Sequence, residues 1–324
     1  MNTHPDVHRP VVVGVDGSPH AMLALDWAAT EAALRAAPLE VLQAFSPDYP
    51  AARSAGPGRP VPEQPSSALQ AAAEDACAEA VARVRATHPN VAVSGRTVAD
   101  DPGAAIVEAS TMAGLVVLGA RGLGRVRGML MGSVSSYVTP RAHCPVVVLR
   151  EAPSRSLPDL RVVVGVDGAT DSTGPLRFAF EAAARRGTGL TVVHAWDLDV
   201  DTTSAALAWS VDWQQAEEQE RSLVAEAVAG FAAEYLTVDV RRHVVRGHPV
   251  AELVRQSENA ALLVLGTRGR GSVKGLVLGS VSQGVLHDAR CPVAVISSPD
   301  HEATTRASRR HAMHLPVPPV RERL

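Results

Sequence analysis

"GARGLGRVRGMLMGSVS", Gly119 to Ser135, returns as "GTRGRGSVKGLVLGSVS", Gly266 to Ser282, 147 positions later. Each copy follows an apolar run and carries the spacing Gly-x2-Gly-x9-Gly-Ser. A glycine string between an apolar strand and a new helix, written twice in one chain, decides the architecture.

Working outward from it, the rest of the repeat falls into line. "RPVVVGVDGS", starting at Arg9, matches "RVVVGVDGA", starting at Arg161, so that Asp16 answers Asp167. "LEVLQAF" from Leu39 matches "LTVVHAW" from Leu190, "DPGAAIVEAS" matches "HPVAELVRQS", and "HCPVVVL" matches "RCPVAVI". A unit of about 140 residues is too long for a solenoid repeat and reads as a duplicated domain. The domains are expected at 9–150 and 161–297, with a polar, Pro-containing linker at 151–160. A tail over 298–324, rich in Arg, His and Pro, is expected to be disordered.

Within each unit, short β-branched runs alternate with longer Ala-rich segments. In the first copy the pattern predicts strands near 11–16, 39–45, 91–97, 114–119 and 145–149, and helices near 20–36, 67–87, 102–112 and 133–141. Runs such as "VVVGV" and "LVVLG" are apolar at nearly every position, as strands buried on both faces require. The fold class expected is α/β: two tandem Rossmann-like, doubly wound domains with parallel sheets. Right-handed crossovers place the strand C-termini of each sheet on one edge, where ligands bind. The closing strands "PVVVL" (Pro145 to Leu149) and "PVAVI" (Pro292 to Ile296) are apolar sheet edges without an interrupting charge, and they are expected to pair with each other inside the chain. The Pro- and Gly-rich stretch from Ser46 to Ser67 is expected to form a loop over the ligand edge.

Composition excludes several classes. The 324 residues carry a net charge of −3, with 31 basic and 34 acidic side chains, so no broad basic excess exists to meet nucleic-acid phosphates. Lys274 is the only lysine. No run of eighteen apolar residues and no leader-like apolar segment is present, so a cytoplasmic protein without membrane contact is expected. Cys77, Cys144 and Cys291 lack metal-ligand spacing, and an odd count argues against a disulfide framework. Nor is there a Gly-x4-Gly-Lys-Ser/Thr P-loop, or a Gly-x-Gly-x-x-Gly after the first strand.

The glycine string itself points to phosphate. Backbone N–H groups of a glycine-rich turn can form an anion nest, using φ > 0 conformations that glycine permits. The helices starting near Ser133 and Ser280 offer unpaired N–H groups and a positive dipole end to the same anion. The two hydroxyls either cap those helices or reach a phosphate oxygen. Gly132 and Gly279 leave room for close backbone approach, and Val134 and Val281 follow in the same turn.

The string, with "VGVDGS" in the first strand and "CPVVVL" at the close, resembles the ATP-binding class of the universal stress protein family in its tandem form. That resemblance implies five-stranded sheets of order 3-2-1-4-5 and ATP, two per chain, alone or with Mg2+. Gly14 and Asp16, with Gly165 and Asp167, match the first-strand motif; the aspartates match the family's carboxylate beside adenine and ribose, although an Asx-turn before the helix is the other reading. Ala44 and Ala195 match the place where the family's backbone reads the adenine edge. Gly119, Gly122, Gly132 and Ser133 match the phosphate residues, as do Gly266, Gly269, Gly279 and Ser280. Arg121, Arg125, Arg127, Arg268, Arg270 and Lys274 either neutralise phosphate or are solvated surface cations. Family members also assemble further, so a homodimer of tandem chains is expected.

Nothing in the sequence marks a nucleophile, base and orienter, nor a carboxylate-rich metal cluster. His194, where the first copy has Gln43, reads as packing rather than catalysis. A regulatory nucleotide binder is therefore expected in preference to an ATPase, a nucleotidyl transferase, or an interaction module with empty sites. In the first copy Asp100-Asp101 stand where the second has Gly247-His248, and they oppose an anion if they face the pocket.

Overall fold

A computed structural model describes residues 9–46, 66–122, 131–150, 160–168, 172–196, 212–267 and 278–297. The stretch from 47 to 65, the linker apart from Leu160, and the tail lie outside these residues.

In the first half the order is β1 (Val11–Val15), α1 (Pro19–Arg35), β2 (Leu39–Phe45), α2 (Ser66–Thr87), β3 (Val93–Ala99), α3 (Pro102–Ala109), β4 (Leu115–Gly119), α4 (Ser133–Val138) and β5 (Val146–Leu149). The second half repeats it: β6 (Arg161–Gly165), α5 (Thr173–Arg186), β7 (Leu190–Trp196), α6 (Trp213–Glu234), β8 (Val240–Arg246), α7 (Pro249–Ser257), β9 (Ala260–Gly266), α8 (Ser280–Asp288) and β10 (Val293–Ile296). Observed boundaries differ from the periodicity by one to three residues, chiefly at helix ends where the last turn is set by capping.

The ten strands form one sheet in the order β3-β2-β1-β4-β5-β10-β9-β6-β7-β8. Pairing is parallel within each half and antiparallel at the seam, where Val148, Val147 and Val146 face Val293, Ala294 and Val295. The two apolar edges thus cover one another. The remaining outer edges, β3 and β8, carry Arg96 and Arg241, Arg242 and Arg246, charges that oppose further strand addition.

Alternation along each strand divides the core into two layers. Val11, Val13 and Val15 pack with α1 and α2, while Val12 joins α3 and α4 on the opposite face. Val147 and Ala294 at the seam belong to the first layer, which runs unbroken beneath α1, α2, α5 and α6 of both halves. Ala36 and Gly187, at equivalent positions, end α1 and α5 in the left-handed region, with φ of 50° and 61°.

Candidate functional site

Within the first half, β1 and β4 are parallel neighbours whose continuations leave toward opposite faces of the sheet. From β1 the chain enters α1 in one layer; from β4 the glycine string leads to α4 in the other. A crevice must open between two such strand ends, and it is where open α/β sheets take ligands. The pair β6 and β9 makes the same divergence in the second half.

The residues flanking the first crevice hold one another in place. Gly17 adopts φ +77°, which turns the chain after Asp16 and lets the Asp16 Oδ1 atom accept the Ser18 N–H at 2.9 Å. Ser18, almost fully buried, caps α1 by accepting the Ala21 N–H at 3.2 Å, and its hydroxyl donates to the Arg121 carbonyl at 3.3 Å. The start of the glycine string is therefore tied to the helix that follows β1.

Bareness at two glycines is what permits this closeness. A Cβ on Gly122 would come closer than 3.0 Å to Asp16 Oδ2, so the carboxylate lies against the string. A Cβ on Gly119 would meet the His20 backbone at 2.7 and 2.8 Å. At the far end of the string the Gly132 N–H donates to the Ala120 carbonyl at 2.7 Å, and the Ser135 hydroxyl donates to the Gly119 carbonyl at 2.7 Å. The loop is closed at its neck by its own first and last residues.

The second copy uses the same neck: Gly279 N–H to Thr267 O at 2.9 Å, and Ser282 Oγ to Gly266 O at 2.7 Å. Gly168 repeats the left-handed turn at φ +71°. In this half Asp167 Oδ1 accepts the Ser172 hydroxyl at 3.3 Å. Gly17, Gly168, Ser135 and Ser282 were not among the sequence-based site residues. Ser135 and Ser282 end the repeated "GSVS", and that identity was the available signal.

Several expectations change in detail. Gly119, Gly122 and Gly132 have no positive φ, so close approach rather than left-handed backbone explains glycine at the first two. Ser133 and Ser280 do not cap; Gly132 and Gly279 occupy the N-cap positions without a side-chain bond, leaving both hydroxyls exposed on the first helical residue. Gly14 and Gly165 are spaces for neighbouring side chains: a Cβ would meet Ile106 and Leu118 in one half, and Leu265 and Leu253 in the other, at 2.8 to 3.0 Å. Ala44, Val134 and Val281 pack against the second core layer, and Ala195 is half-buried beside Val245. Arg121 is exposed at the crevice, whereas Arg125, Arg127, Arg268, Gly269, Arg270 and Lys274 lie outside the described residues.

Asp100-Asp101 serve the α3 terminus: Asp101 Oδ1 accepts the Ala104 N–H at 3.0 Å, and Asp100 Oδ1 accepts the Asp101 N–H at 2.6 Å. His194 is buried, with Nδ1 2.9 Å from the Val166 carbonyl and Nε2 2.9 Å from Glu220 Oε2. Its bonds join β7 to the end of β6 and to α6, a packing role. All three cysteines are buried and none is in a disulfide, and burial pushes the Cys291 thiol up to about 12, so no thiolate forms there near neutral pH. Among the described residues no three His, Cys, Asp or Glu side chains gather as metal ligands, and no helix is long and apolar enough to cross a membrane.

Parallel strands with a glycine-built neck at each switch point define a doubly wound α/β protein of the Rossmann-like kind. The chain belongs to the universal stress protein family, whose model matches it twice, over residues 8–150 and 160–297. It is 37% identical over 301 residues to a universal stress protein of Mycobacterium bovis, an alignment covering 90% of this chain and 98% of that one. A universal stress protein of Mycobacterium tuberculosis is 37% identical over 294 residues, covering 88% and 95%. Among solved structures, a universal stress protein from Archaeoglobus fulgidus superposes with a TM-score of 0.63 at 23% identity, covering 90% of this chain and 97% of that chain. A putative universal stress protein from Pseudomonas aeruginosa gives 0.62 at 19%, covering 94% and 98%.

Proposed function

We propose that the chain is a cytoplasmic regulatory protein that binds one adenine nucleotide in each half, residues 9–150 and 161–297, and signals through its bound state. The observation that carries this reading is the contact of Asp16 with Gly122 across the β1–β4 switch point, tying a carboxylate to a closed glycine loop at the edge where such sheets hold ligands. The fit is chemical as well as topological. The bare Gly122 and Gly119 let the Asp16 carboxylate and the start of α1 close directly on the string, and the Ser133 hydroxyl stands exposed on the first turn of α4. Asp16 would accept from a ribose hydroxyl or the adenine amino group, the backbone near Ala44 would read the base edge, and the Gly119–Ser133 string would hold the phosphates. Asp167, Ala195 and the Gly266–Ser280 string would do the same in the second half. Mg2+ would bind through the nucleotide's own phosphates.

Because β5 and β10 are consumed within the chain, a homodimer of chains would use another surface. The binding reading is tested by titrating the intact protein with ATP in a calorimeter and following the bound nucleotide by chromatography for several hours. Two sites with less than one turnover per site support it. Repeated turnover would place the chain among ATP-consuming enzymes, and the absence of heat and of retained nucleotide would leave an interaction module.

A further inference from the structure

The seam between the halves is chemically asymmetric in a way that the repeat makes legible. Helices α1 and α5 occupy equivalent places beside β5 and β10, and their residues correspond at a constant offset: Trp27 with Phe178, Glu31 with Ala182, Leu34 with Arg185, Arg35 with Arg186. Across the seam the contacts are reciprocal. The Arg35 guanidinium lies over the Phe178 ring at 5.3 Å, and the Arg186 guanidinium over the Trp27 ring at 5.8 Å.

Glu31 breaks the symmetry. Its side chain is 1% exposed, Arg35 of its own helix bonds Oε1 at 2.6 Å, and Arg186 of the opposite half bonds Oε2. Burial pushes the Glu31 carboxyl up, yet the guanidinium groups of Arg186 and Arg35 outweigh it and hold the carboxyl below the usual range. Arg185, partly covered beside Arg35, pairs with Glu181 at 3.3 Å, and among the described residues its buried Nε and Nη2 find no acceptor, nor does Arg35 Nη2. Cations are thus in excess at the seam, and Glu31 is the buried carboxylate that compensates them.

We propose that Glu31 is a pairing selector, making a first-half domain the required partner of the second half's Arg185–Arg186 face. Were two second halves to meet through the same strands and helices, Ala182 would stand at both Glu31 positions. Two Arg186 and two Arg185 side chains would then be desolvated together, with a half-buried Glu181 beside each Arg185 but no carboxylate in Glu31's place for either Arg186. An uncompensated buried charge is strongly unfavourable, so that pairing is rejected. Two first halves would bring two Glu31 and two Arg35 side chains together, a balanced set. The second half is the member that cannot pair with itself, and the chain closes intramolecularly because that pairing alone satisfies both faces.

The test starts from the full chain, folded and purified intact. A protease recognition sequence is inserted between residues 151 and 159 and cut after purification, and the cut protein is mixed with a mass-labelled copy and read by native mass spectrometry. Cut protein of otherwise unchanged sequence should remain a one-to-one pair of unlike halves, exchanging labelled for unlabelled partners without ever forming a pair of second halves. Glu31→Gln, which keeps the shape and removes the charge, should weaken association of the cut halves at least tenfold. Pairs of second halves appearing in the unmodified mixture, halves that stay apart at equilibrium instead of re-pairing with an unlike partner, or unchanged affinity in Glu31→Gln would each overturn the proposal. The exchange measurement needs no seam substitution, so a variant that fails to fold does not decide the question.

Discussion

Gly122→Ala separates binding from folding more cleanly than any other single change in the site. The added methyl would sit closer than 3.0 Å to Asp16 Oδ2 and 3.5 Å from its Cγ, so the carboxylate must turn away by roughly 1 Å. Turning it strains the 2.9 Å bond that Oδ1 accepts from Ser18 and moves the acceptor offered to the nucleotide. One charge-assisted hydrogen bond is worth about 1.5–3 kcal/mol, so affinity at the first site should fall roughly 10- to 150-fold. Gly122 is exposed and has no positive φ, so thermal stability without nucleotide should change little, by under about 1 kcal/mol. Gly119→Ala provides the contrast. Its methyl meets backbone atoms of His20 at 2.7 and 2.8 Å rather than a side-chain tip, so α1 must shift, and about 1–3 kcal/mol of fold stability should be lost. Calorimetry with ATP, paired with thermal unfolding of each nucleotide-free variant, reads both quantities. If Gly122→Ala keeps two equivalent sites at the parent affinity, the carboxylate–glycine contact is not part of a binding site.

Asp16→Ala should weaken ATP at the first site by roughly tenfold or more, and the penalty for 2′-deoxy-ATP should shrink in that variant if the carboxylate reads the ribose; an effect below about threefold would assign Asp16 to the Ser18 turn alone. The seam should be acid-labile. The folded Glu31 carboxyl lies below its ordinary value of 4.5, so the stabilisation is complete above that pH and is lost as pH falls through the lower folded value; light scattering and unfolding between pH 5 and about 2 check it, and a seam insensitive to acid contradicts it. Val147→Lys places a cation where a fully buried side chain faces Ala294, and it should open the seam and lower stability by several kcal/mol in denaturant titrations. Ala36→Gly should raise stability by about 1 kcal/mol, because a residue with a Cβ now occupies φ 50° at the end of α1, where the second half has glycine.

The fold was legible because its determinants are local and written twice. Near-continuous apolar runs such as Val11–Val15 and Leu115–Gly119 mark strands buried on both faces, and the seam followed from the two uncharged closing strands. The glycine string announced its place between β4 and α4, but not why each glycine is there. Gly122 and Gly119 need space against Asp16 and His20, partners about a hundred residues away, and such tertiary proximity leaves no periodic trace. Ser18 was hidden for the same reason, since its tie to Arg121 spans 103 positions. Gly14 falls within the first-strand motif of the sequence, yet its missing side chain makes room for Ile106 and Leu118. The charge asymmetry at Glu31 is invisible in the sequence, because α5 alone does not show which of its arginines is buried or that Arg186 reaches Glu31 of α1 across the seam.

Nucleotide stoichiometry in the intact chain and in paired string variants tests the central claim most directly. Native mass spectrometry of the protein with saturating ATP should show two nucleotides per chain, one in Gly122→Val, and none in Gly122→Val combined with Gly269→Val, with far-ultraviolet circular dichroism unchanged throughout. Two nucleotides retained by the folded double variant, or none bound by the parent protein, would contradict the account.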